Sequence, residues 1–425
     1  MQVFKFGGAS VKDADGVKNL SKIVQSHGTN QILIVISAMG KITNTLEELT
    51  KAYINGDQNC LHLFEEIKAY HFSILNDLFE DHKNPIFNDV ANTFVEIEWL
   101  LEEEASDPAD YLYDQIVSIG EMVSTKIVAA YLNQIGVFTI WTDARNYILT
   151  DNNYKDANVN WEKSAVEIQK HLPSFLDKGI VVTQGFVGGT SENFTSTLGR
   201  EGSDYSAAIF SSCLNADSLT IWKDVPGVLN ADPKWFDETE KIDELSYHDA
   251  IELTYYGATV IHPKTIKPLQ NKEIPLYVRS FIVPEGEGTK ISNVRIPLPV
   301  PSFIFKVNQV LISIFPKDFS FIIEESLSSI FNLFHKNKVK VNTMLNSAIS
   351  FSVSVDDSDK IDSLIKDLSE TFKVKYNKNL ELVTIRYYNQ HTIDRVTVNK
   401  NVLLEVKSRH TCQIVMKDRV VSLER

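Results

Sequence analysis

A chain of 425 residues is longer than one hydrophobic core usually supports, so its length predicts two or three domains. The formal net charge of −14 argues against nucleic acids and anionic membranes as partners. No apolar run reaches the length of a membrane span, the start of the chain lacks a signal-peptide core, and the three cysteines are widely separated. These features predict a folded protein of the reducing cytoplasm.

A short apolar strand at residues 3–6 leads directly into a glycine pair, in the sequence VFKFGGAS. Glycines let backbone N–H groups approach an anion closely, so a strand that ends in such a turn is suited to hold phosphate groups. Lys5 would add a fixed positive charge beside Gly7 and Gly8. On these residues alone, an ordinary strand and turn with a solvated lysine explains the sequence equally well.

A second buried strand, at residues 31–36, opens onto the polar turn SAMGKITN at residues 37–44. Nearly continuous apolar strands are typical of a parallel sheet that is covered on both faces. Ligands of such sheets collect at the carboxyl ends of the strands. The sequence therefore predicts an α/β fold with a ligand site at these turns.

Amphipathic helices are predicted over about residues 46–105 and 111–132. The acidic run at residues 102–104 is more typical of a solvated helix end than of a metal site. Glu121 stands in the second helical region, and a glutamate on a helix is usually solvated. Glu121 becomes a candidate site residue only because the adjacent Gly120 would let a ligand approach closely.

Strands predicted at residues 137–141 and 179–183 precede the segment TSTLGREGSD at residues 195–204, which enters an alanine-rich helix. An arginine can bind a carboxylate through two hydrogen bonds, and a helix N-terminus favours negative charge. Arg200 therefore marks a candidate anion site. In the alternative interpretation, Asp204 merely caps the helix.

A strand predicted at residues 219–222 runs into a loop that carries Lys223 and Lys234 and contains Pro-Gly and Asp-Pro turns. The segment PEGEG at residues 284–288 is the best candidate for a linker. Between the loop and the linker, helices are predicted at 246–256 and 261–270, and a strand at 276–280.

Beyond residue 300 the pattern changes to strand, helix, two strands, helix and strand within residues 309–388. This βαββαβ order is typical of ferredoxin-like domains. Two more strands are predicted at residues 402–406 and 411–417, with too few residues before them for a full helix.

Six of these segments together resemble an aspartokinase of the amino acid kinase family with C-terminal ACT-type regulatory domains. They are KFGGAS (5–10), SAMGKITN (37–44), GEMVSTK (120–126), TLGREGSD (197–204), KDVPGVLNADPK (223–234) and YGATVIHPKTI (256–266). Each is a modest signal alone, but six in the family's order and spacing are specific, and the resemblance covers essentially the whole chain. The resemblance implies a catalytic domain at 1–290 with a mostly parallel sheet sandwiched by helices, an ACT domain at 300–378 and a reduced second ACT module at 379–425.

The resemblance implies ATP-dependent phosphorylation of the side-chain carboxylate of L-aspartate to 4-phospho-L-aspartate, the first step towards lysine, threonine and methionine. ATP and Mg²⁺ are the implied cofactors, and no residue is assigned as a metal ligand. The implied assembly is a homodimer with an amino-acid effector at the ACT interface. The chemistry is coherent, because a carboxylate nucleophile is already ionised at neutral pH and needs positioning and charge neutralisation rather than a strong base.

The resemblance also assigns roles to residues at matching positions. Those implied in catalysis are Lys5, Asp204 and Asp224. Those implied in aspartate binding are Ser37, Thr43, Glu121 for the ammonium, Arg200 for the α-carboxylate, Gly202 and Ser203. Those implied in ATP binding are Lys5, Gly7, Gly8, Lys223, Asp224, Leu229, Lys234 and Thr259. Those implied in effector binding are Ser326, Leu327, Val341, Asn342 and Ser347.

The chain departs from the family pattern at several of these positions. Thr259 stands where the family has a lysine, which leaves Lys5, Mg²⁺ and Lys264 to neutralise the phosphates. Leu229 and Lys234 replace a tyrosine and an arginine, so the nucleotide contacts are expected to be looser. Smaller differences are Ala9 in place of a threonine and Asn342 in place of the aspartate of lysine-sensitive relatives.

Two other functions remain open from the sequence. One is a different carboxylate or carbamate kinase of the same fold, for instance one that acts on glutamate. The other is a weakly active amino-acid sensor in which the ACT modules carry the function, which Thr259 favours and the retained Lys5, Arg200, Asp204 and Asp224 oppose.

Overall fold

The computed structural model describes residues 1–28, 31–236, 238–258, 261–294, 300–318 and 320–418. The chain divides into two compact units. The first comprises Met1–Val228, Asp243–Ile251 and Ile261–Ile296, and the second comprises Leu229–Ile242, Glu252–Val260 and Pro297–Arg425. The domain limits expected from the sequence stay a prediction, and residues 229–242 and 252–260 join the second unit although they precede residue 290.

The first unit is built on a mostly parallel sheet. Its strands are β1 (Gln2–Phe6), β2 (Ile32–Ile36), β3 (Thr139–Trp141), β4 (Ile180–Gln184), β7 (Ser218–Lys223), β8 (Glu244–Ser246), β9 (Leu276–Ser280) and β10 (Thr289–Ser292), with a separate hairpin of β5 (Val187–Gly189) and β6 (Thr195–Thr197). Within the described residues, eight strands form the sheet in the order β3-β4-β2-β1-β7-β9-β10-β8. Only the β9–β10 pair among them is antiparallel.

Helices surround this sheet. They are α1 (Ala14–Ser26), α2 (Ile42–Ile54), α3 (Cys60–Leu78), α4 (Pro85–Glu102), α5 (Ala109–Val117), α6 (Ile119–Gln134), α7 (Trp161–Leu176), α8 (Gly202–Leu214), α9 (Tyr247–Tyr256) and α10 (Pro263–Asn271). Capping residues in the sequence fix where several helices begin. The Asp13 side chain accepts a hydrogen bond from the Gly16 N–H at the start of α1, and Asn84 caps α4 ahead of a proline in its first turn. The acidic run at 102–104 is an exposed helix end, as predicted. No helix in the described ranges is long and apolar enough to cross a membrane.

The strands bury both faces because their apolar side chains alternate between two helical layers. Phe4, Phe6 and Ile34 join the core that α1 to α6 complete. Leu33 and Val35 are fully buried on the opposite face, towards α8. Since β1, β2 and β7 are parallel and paired in register, the polar turns that follow them meet at one edge of the sheet.

The second unit contains an antiparallel sheet with helices packed on it. Its elements are β11 (Ser302–Pro316), α11 (Glu324–Lys336), β12 (Val341–Asn346), β13 (Phe351–Asp356), α12 (Ile361–Thr371), β14 (Phe372–Arg386), α13 (Gln390–Thr397), β15 (Lys400–Lys407) and β16 (Thr411–Asp418). Among the described residues, the six strands are ordered β12-β13-β11-β14-β16-β15. The predicted fold class, a mostly parallel α/β unit followed by a βαββαβ module, is confirmed.

The long strands β11 and β14 each serve two halves of this sheet. Residues 309–314 of β11 pair with β13, whereas β14 pairs with both halves of β11 and shifts its register between Lys306 and Gln309. Among the described residues of this unit, the buried apolar side chains form three clusters. The first includes Val310, Ile312, Ile330, Phe334 and Leu364, and the second includes Phe303, Val383, Ile414, Ile393 and Val396.

The second cluster contains a helix that the sequence reading missed. We expected too few residues for a full helix before the last strands, but residues 390–397 form the eight-residue helix α13. Asn389 and Thr392 begin it with reciprocal side-chain to backbone hydrogen bonds, each 2.9 Å long. This capping box stabilises a helix that is too short to show apolar periodicity.

Candidate active site

A cleft of about 600 Å³ lies in the first unit at the sheet edge where the polar turns meet. It is lined by Lys5, Ser37, Thr43, Glu47, Tyr113, Glu121, Lys155, Phe186, Gly199, Arg200, Glu201, Gly202, Ser203, Asp204 and Lys223. Nine of the residues selected from the sequence are therefore brought together, although they come from five separate segments of the chain.

Two lysines surround one buried carboxylate at the ends of β1 and β7. Lys5 Nζ is 2.7 Å from Asp204 Oδ1, and Lys223 Nζ is 4.0 Å from Asp204 Oδ2. Burial by itself would raise the pKa of Asp204, but the charges of Lys5 and Lys223 outweigh it and hold the pKa below its usual value. With both lysines and Asp204 charged, this part of the cleft carries an excess positive charge and suits an anionic ligand.

The glycine turns allow two loops to pack directly on each other. A Cβ on Gly8 would lie 2.6 Å from the carbonyl oxygen of Gly40 and 2.7 Å from that of Ala38. The Gly40 N–H also donates to the Gly8 carbonyl at 3.0 Å. A Cβ on Gly7 would lie 3.5 Å from Lys5 Nζ, so the lysine ammonium lies beneath the turn.

Glu121 is a fully buried carboxylate in the first turn of α6. Burial raises its pKa to about 8, although the Ala38 N–H and the charge of Lys5 partly offset this effect. Among the described residues, its Oε2 atom has no hydrogen-bond partner. A buried oxygen in this state can accept a hydrogen bond from a ligand ammonium.

The prediction for the adjacent Gly120 is wrong. A Cβ on Gly120 would lie 2.8 Å from the Ala38 Cβ, so this glycine lets α6 approach the turn after β2 rather than a ligand. Ser124 strengthens the same contact by donating a hydrogen bond of 2.9 Å to the Ser37 carbonyl. Glu121 and Ser37 thus share one rigid wall of the cleft.

The turn before α8 carries Arg200 at the exposed rim of the cleft. It is left-handed at Gly199 and again at Glu201, with φ values of 75° and 54°. The alternative interpretation of Asp204 as the helix cap is wrong, because Glu201 occupies the N-cap position and Asp204 pairs with Lys5.

Comparison with known proteins shows the family to which this chain belongs. A model of the amino acid kinase family matches residues 1–280, about two thirds of the chain. The lysine-sensitive aspartokinase 3 of Escherichia coli (strain K12) is 30% identical over 392 residues, which cover 90% of this chain and 86% of the relative. The chain belongs to the aspartokinases of the amino acid kinase family.

Solved structures of aspartokinase III from E. coli have the same fold over nearly the full length. Its complex with aspartate and ADP has a TM-score of 0.82 and 28% identity, covering 98% of this chain and 96% of that one. Its complex with lysine and aspartate gives the same TM-score and identity, covering 99% and 96%. The resemblance expected from the six sequence segments is confirmed.

This aspartokinase has cleft residues that the sequence reading missed. Tyr113 Oη donates a 2.7 Å hydrogen bond to Glu47 Oε1, and Lys155 Nζ lies 4.6 Å from the centre of the Tyr113 ring. Burial and Glu47 raise the pKa of Tyr113, so its phenol stays protonated. Glu47 was detectable, because it stands one helical turn after Thr43 on α2. Phe186 and Lys155 lie in loops without a phosphate or carboxylate signature.

Asp114 joins the loop of Lys155, a cleft residue, to strand β6. Its Oδ2 accepts from the Thr197 N–H at 2.8 Å and its Oδ1 from the Thr197 hydroxyl at 2.6 Å. Both oxygens also lie 3.1 Å from the Lys155 N–H. Burial raises the pKa of Asp114 to about 6 despite these bonds. Asp114 therefore holds the Lys155 loop and strand β6 in a fixed relation.

Six residues expected to bind ATP or to act in catalysis are not among the described residues that line the cleft, and two of them are Gly7 and Gly8 of the turn after β1. Asp224 is exposed directly after Lys223. Leu229 and Lys234 belong to the second unit. Thr259 lies outside the described residues. Their roles stay predictions, and so does that of Lys264, whose ammonium is paired with Asp156 Oδ1.

The expected effector residues lie in the second unit. Ser326 and Leu327 are on α11, Val341 and Asn342 are on β12, and Ser347 follows that strand. Asn342 Nδ2 donates to Gln309 Oε1 and to Asp356 Oδ1, both at 2.9 Å. Lys306 Nζ donates to Asn342 Oδ1 at 2.8 Å. The acceptor and donor groups of the Asn342 side chain are thus already engaged within the chain.

Proposed function

We propose that this protein transfers the γ-phosphoryl group of ATP to the side-chain carboxylate of L-aspartate, forming 4-phospho-L-aspartate and ADP. The observation that carries the proposal is the pairing of groups in one cleft. Lys5 and Lys223 offer positive charge for phosphates, while the Glu121 carboxyl, whose Oε2 atom has no hydrogen-bond partner among the described residues, and the guanidinium of Arg200 match the ammonium and α-carboxylate of an amino acid. The E. coli relative of the same fold is known with aspartate and ADP bound.

The proposed reaction needs no proton transfer from the protein. An oxygen of the aspartate side-chain carboxylate bonds to the γ-phosphorus, and the bond from that phosphorus to the β,γ-bridging oxygen breaks, leaving ADP. Both reactants are anions, so the task is to hold them in line and to reduce their repulsion. Lys5 does this from a fixed position, because Asp204 holds its ammonium 2.7 Å away at the end of a buried strand.

Mg²⁺ bound with ATP would supply further neutralisation of the phosphate charge. Within the described residues no group of three or more His, Cys, Asp or Glu side chains is arranged to hold a metal ion. Asp204 is engaged by two lysines, whereas Asp224 is exposed at the end of β7. We expect phosphate oxygens and water to bind the ion, with Gly7, Gly8 and Lys223 on the nucleotide side.

The proposed assembly is a cytoplasmic homodimer that forms through the second unit. β12 is an edge strand, and its Met344 and Leu345 side chains are 50% and 45% exposed. An edge strand with exposed apolar side chains favours pairing with another strand. Two copies joined along β12 would place Val341, Asn342 and Ser347 of each copy at the interface, where an effector amino acid could bind.

We expect weak inhibition by lysine, or sensitivity to threonine in its place. Asn342 carries no charge, and its carbonyl oxygen already accepts from Lys306. The ammonium of a bound lysine would therefore have to displace the Lys306 ammonium from the Asn342 carbonyl oxygen. The E. coli relative is known in complex with lysine.

The deciding experiment measures ADP release from ATP with L-aspartate, L-glutamate and other amino acids, and traps the acyl phosphate with hydroxylamine. Turnover with L-aspartate and a hydroxamate product are expected. Arg200→Ala should raise the aspartate KM strongly, since the α-carboxylate loses a bidentate partner. Equal rates of turnover with glutamate and with aspartate would contradict the assignment of aspartate as the substrate. Binding of an amino acid without turnover would favour the amino-acid sensor.

A further inference from the structure

The residue after Arg200 adopts a backbone conformation that its side chain disfavours. Glu201 has φ 54° and ψ 28°, in the left-handed region that glycine enters freely and that residues with a Cβ enter at a cost. Such outliers persist where surrounding contacts hold them, and they concentrate at functional sites. Glu201 also lines the cleft.

The Glu201 carboxylate does not cap its own helix. Its Oε2 atom instead accepts a hydrogen bond of 3.0 Å from the backbone N–H of His262. His262 is the N-cap of α10, and its Nδ1 accepts from the Lys264 N–H at 3.2 Å. Glu201 thus ties the turn at the start of α8 to the start of α10 by a charge-assisted hydrogen bond.

The same turn is fixed on its other side by Asp156. A Cβ on Gly199 would lie 2.6 Å from Asp156 Oδ1, so this carboxylate packs directly on the turn. The Lys264 ammonium pairs with the same oxygen. Arg200 therefore stands between two anchored residues, Gly199 against Asp156 and Glu201 against His262.

We propose that Glu201 is a positioning residue for the aspartate reaction: its hydrogen bond from His262 fixes the turn that presents Arg200 to the substrate carboxylate. The inference rests on the proposed function, in which Arg200 binds that carboxylate. Without the bond, the turn samples more conformations, and the binding of aspartate has to order it again. Loss of the bond therefore raises the aspartate KM and leaves kcat nearly unchanged, because the phosphoryl-transfer groups are unchanged.

Glu201→Gly separates positioning from folding. Glycine adopts the left-handed backbone without strain, which offsets the entropy that it adds to the unfolded chain, so the Tm should change little. The tie to His262 is lost, so the aspartate KM should rise about tenfold while kcat changes less than about twofold. Glu201→Gln keeps an oxygen that accepts from the His262 N–H, and its KM should stay within about threefold of the wild type.

The donor offers an independent variant. His262 has φ −65° and ψ 143°, which proline adopts, so His262→Pro removes the N–H with little change of backbone. His262→Asn is the matched control, because it keeps the N–H and a side chain that can cap α10. We expect His262→Pro to reproduce the KM of Glu201→Gly, and the double variant to be no worse than either single variant.

A wild-type KM in Glu201→Gly would overturn the inference, as would a Glu201→Gln enzyme as impaired as Glu201→Gly. A lowered Tm with an unchanged KM would likewise reduce Glu201 to a structural role and overturn it. If the wild type turns over no aspartate, the proposed function fails by itself. In that case, calorimetric titration of aspartate into the wild type and into Glu201→Gly still tests whether the Glu201–His262 hydrogen bond supports aspartate binding. Equal affinities would contradict the inference.

Discussion

At the scale of single residues, the ionisation of Glu121 links aspartate binding to pH. The pKa of about 8 in the ligand-free protein means that this carboxyl is mostly protonated at pH 7. To pair with a substrate ammonium it must lose its proton, so binding should release about one proton at pH 7. Calorimetry of aspartate binding in two buffers with different ionisation enthalpies measures this number.

The same linkage fixes the sign of the pH dependence. The aspartate KM should fall as pH rises from 6.5 to about 8 and then level off. The folded protein holds this proton more tightly than the unfolded chain, whose glutamate pKa is 4.5. The contribution of Glu121 to stability is therefore full below pH 4.5 and declines as pH rises to about 8. Glu121→Gln should raise the KM and remove its slope, and a slope that persists in this variant would contradict the assignment.

The position of Lys5 leads to a second prediction at this scale. Lys5→Met should lower kcat at least ~100-fold, the scale for losing one preorganised electrostatic contact, while aspartate still binds. The substitution leaves Asp204 buried beside Lys223 alone, so Lys5→Met with Asp204→Asn serves as a folding control. Stopped-flow or coupled ADP release gives kcat, and a single variant with wild-type kcat would exclude Lys5 from the transfer step.

At the scale of elements, the cleft depends on how closely α6 approaches the turn after β2. Gly120→Ala should place a methyl group 2.8 Å from the Ala38 Cβ, which overpacks the contact. Such overpacking typically costs about 1–3 kcal/mol. Since Glu121 and Ser37 flank the contact, aspartate affinity should fall together with the Tm.

Ala38→Gly provides the matched partner for this test. It removes the methyl group that Gly120→Ala would strike, so the double variant should recover much of the lost Tm and affinity. Differential scanning calorimetry and aspartate saturation measure both. A Gly120→Ala protein that is as stable and active as the wild type would contradict the prediction that the cleft depends on this close contact.

At the scale of the whole molecule, the two edges of the second unit's sheet differ. Met344 on β12 is 50% exposed, and Val402 on the opposite edge strand β15 is 40% exposed. β15 begins and ends with lysines, a feature that discourages strand pairing, whereas exposed apolar residues on β12 favour it. Met344→Lys should therefore convert a homodimer into monomers, and Val402→Lys should not.

Sedimentation equilibrium of the wild type and both variants tests this prediction. Aspartate saturation with added lysine or threonine tests the effector site in parallel, with coupling of a few kcal/mol or less expected. A monomeric wild type, or dissociation by Val402→Lys in place of Met344→Lys, would contradict pairing through β12. Tight micromolar inhibition by lysine would contradict the argument from Asn342 and Lys306.

The sequence alone determined the fold class and the polar turns of the cleft. Buried strands such as residues 31–36 are recognisable from composition, and parallel strands place the residues that follow them at one edge. Lys5 and Arg200 are therefore recognisable from the sequence as charged residues at such turns. The family order of six segments supplied the rest of the expected site.

Only the tertiary structure decided which side chains meet and in what state. Glu47 and Tyr113 are 66 positions apart, and Glu201 and His262 are 61 apart, so neither hydrogen bond leaves a periodic trace in the sequence. The raised pKa of Glu121 comes from its complete burial, which a helical glutamate does not reveal by its position. Gly120 was misread for the same reason: a glycine shows that something approaches closely, and only packing shows whether that is a ligand or, as here, Ala38.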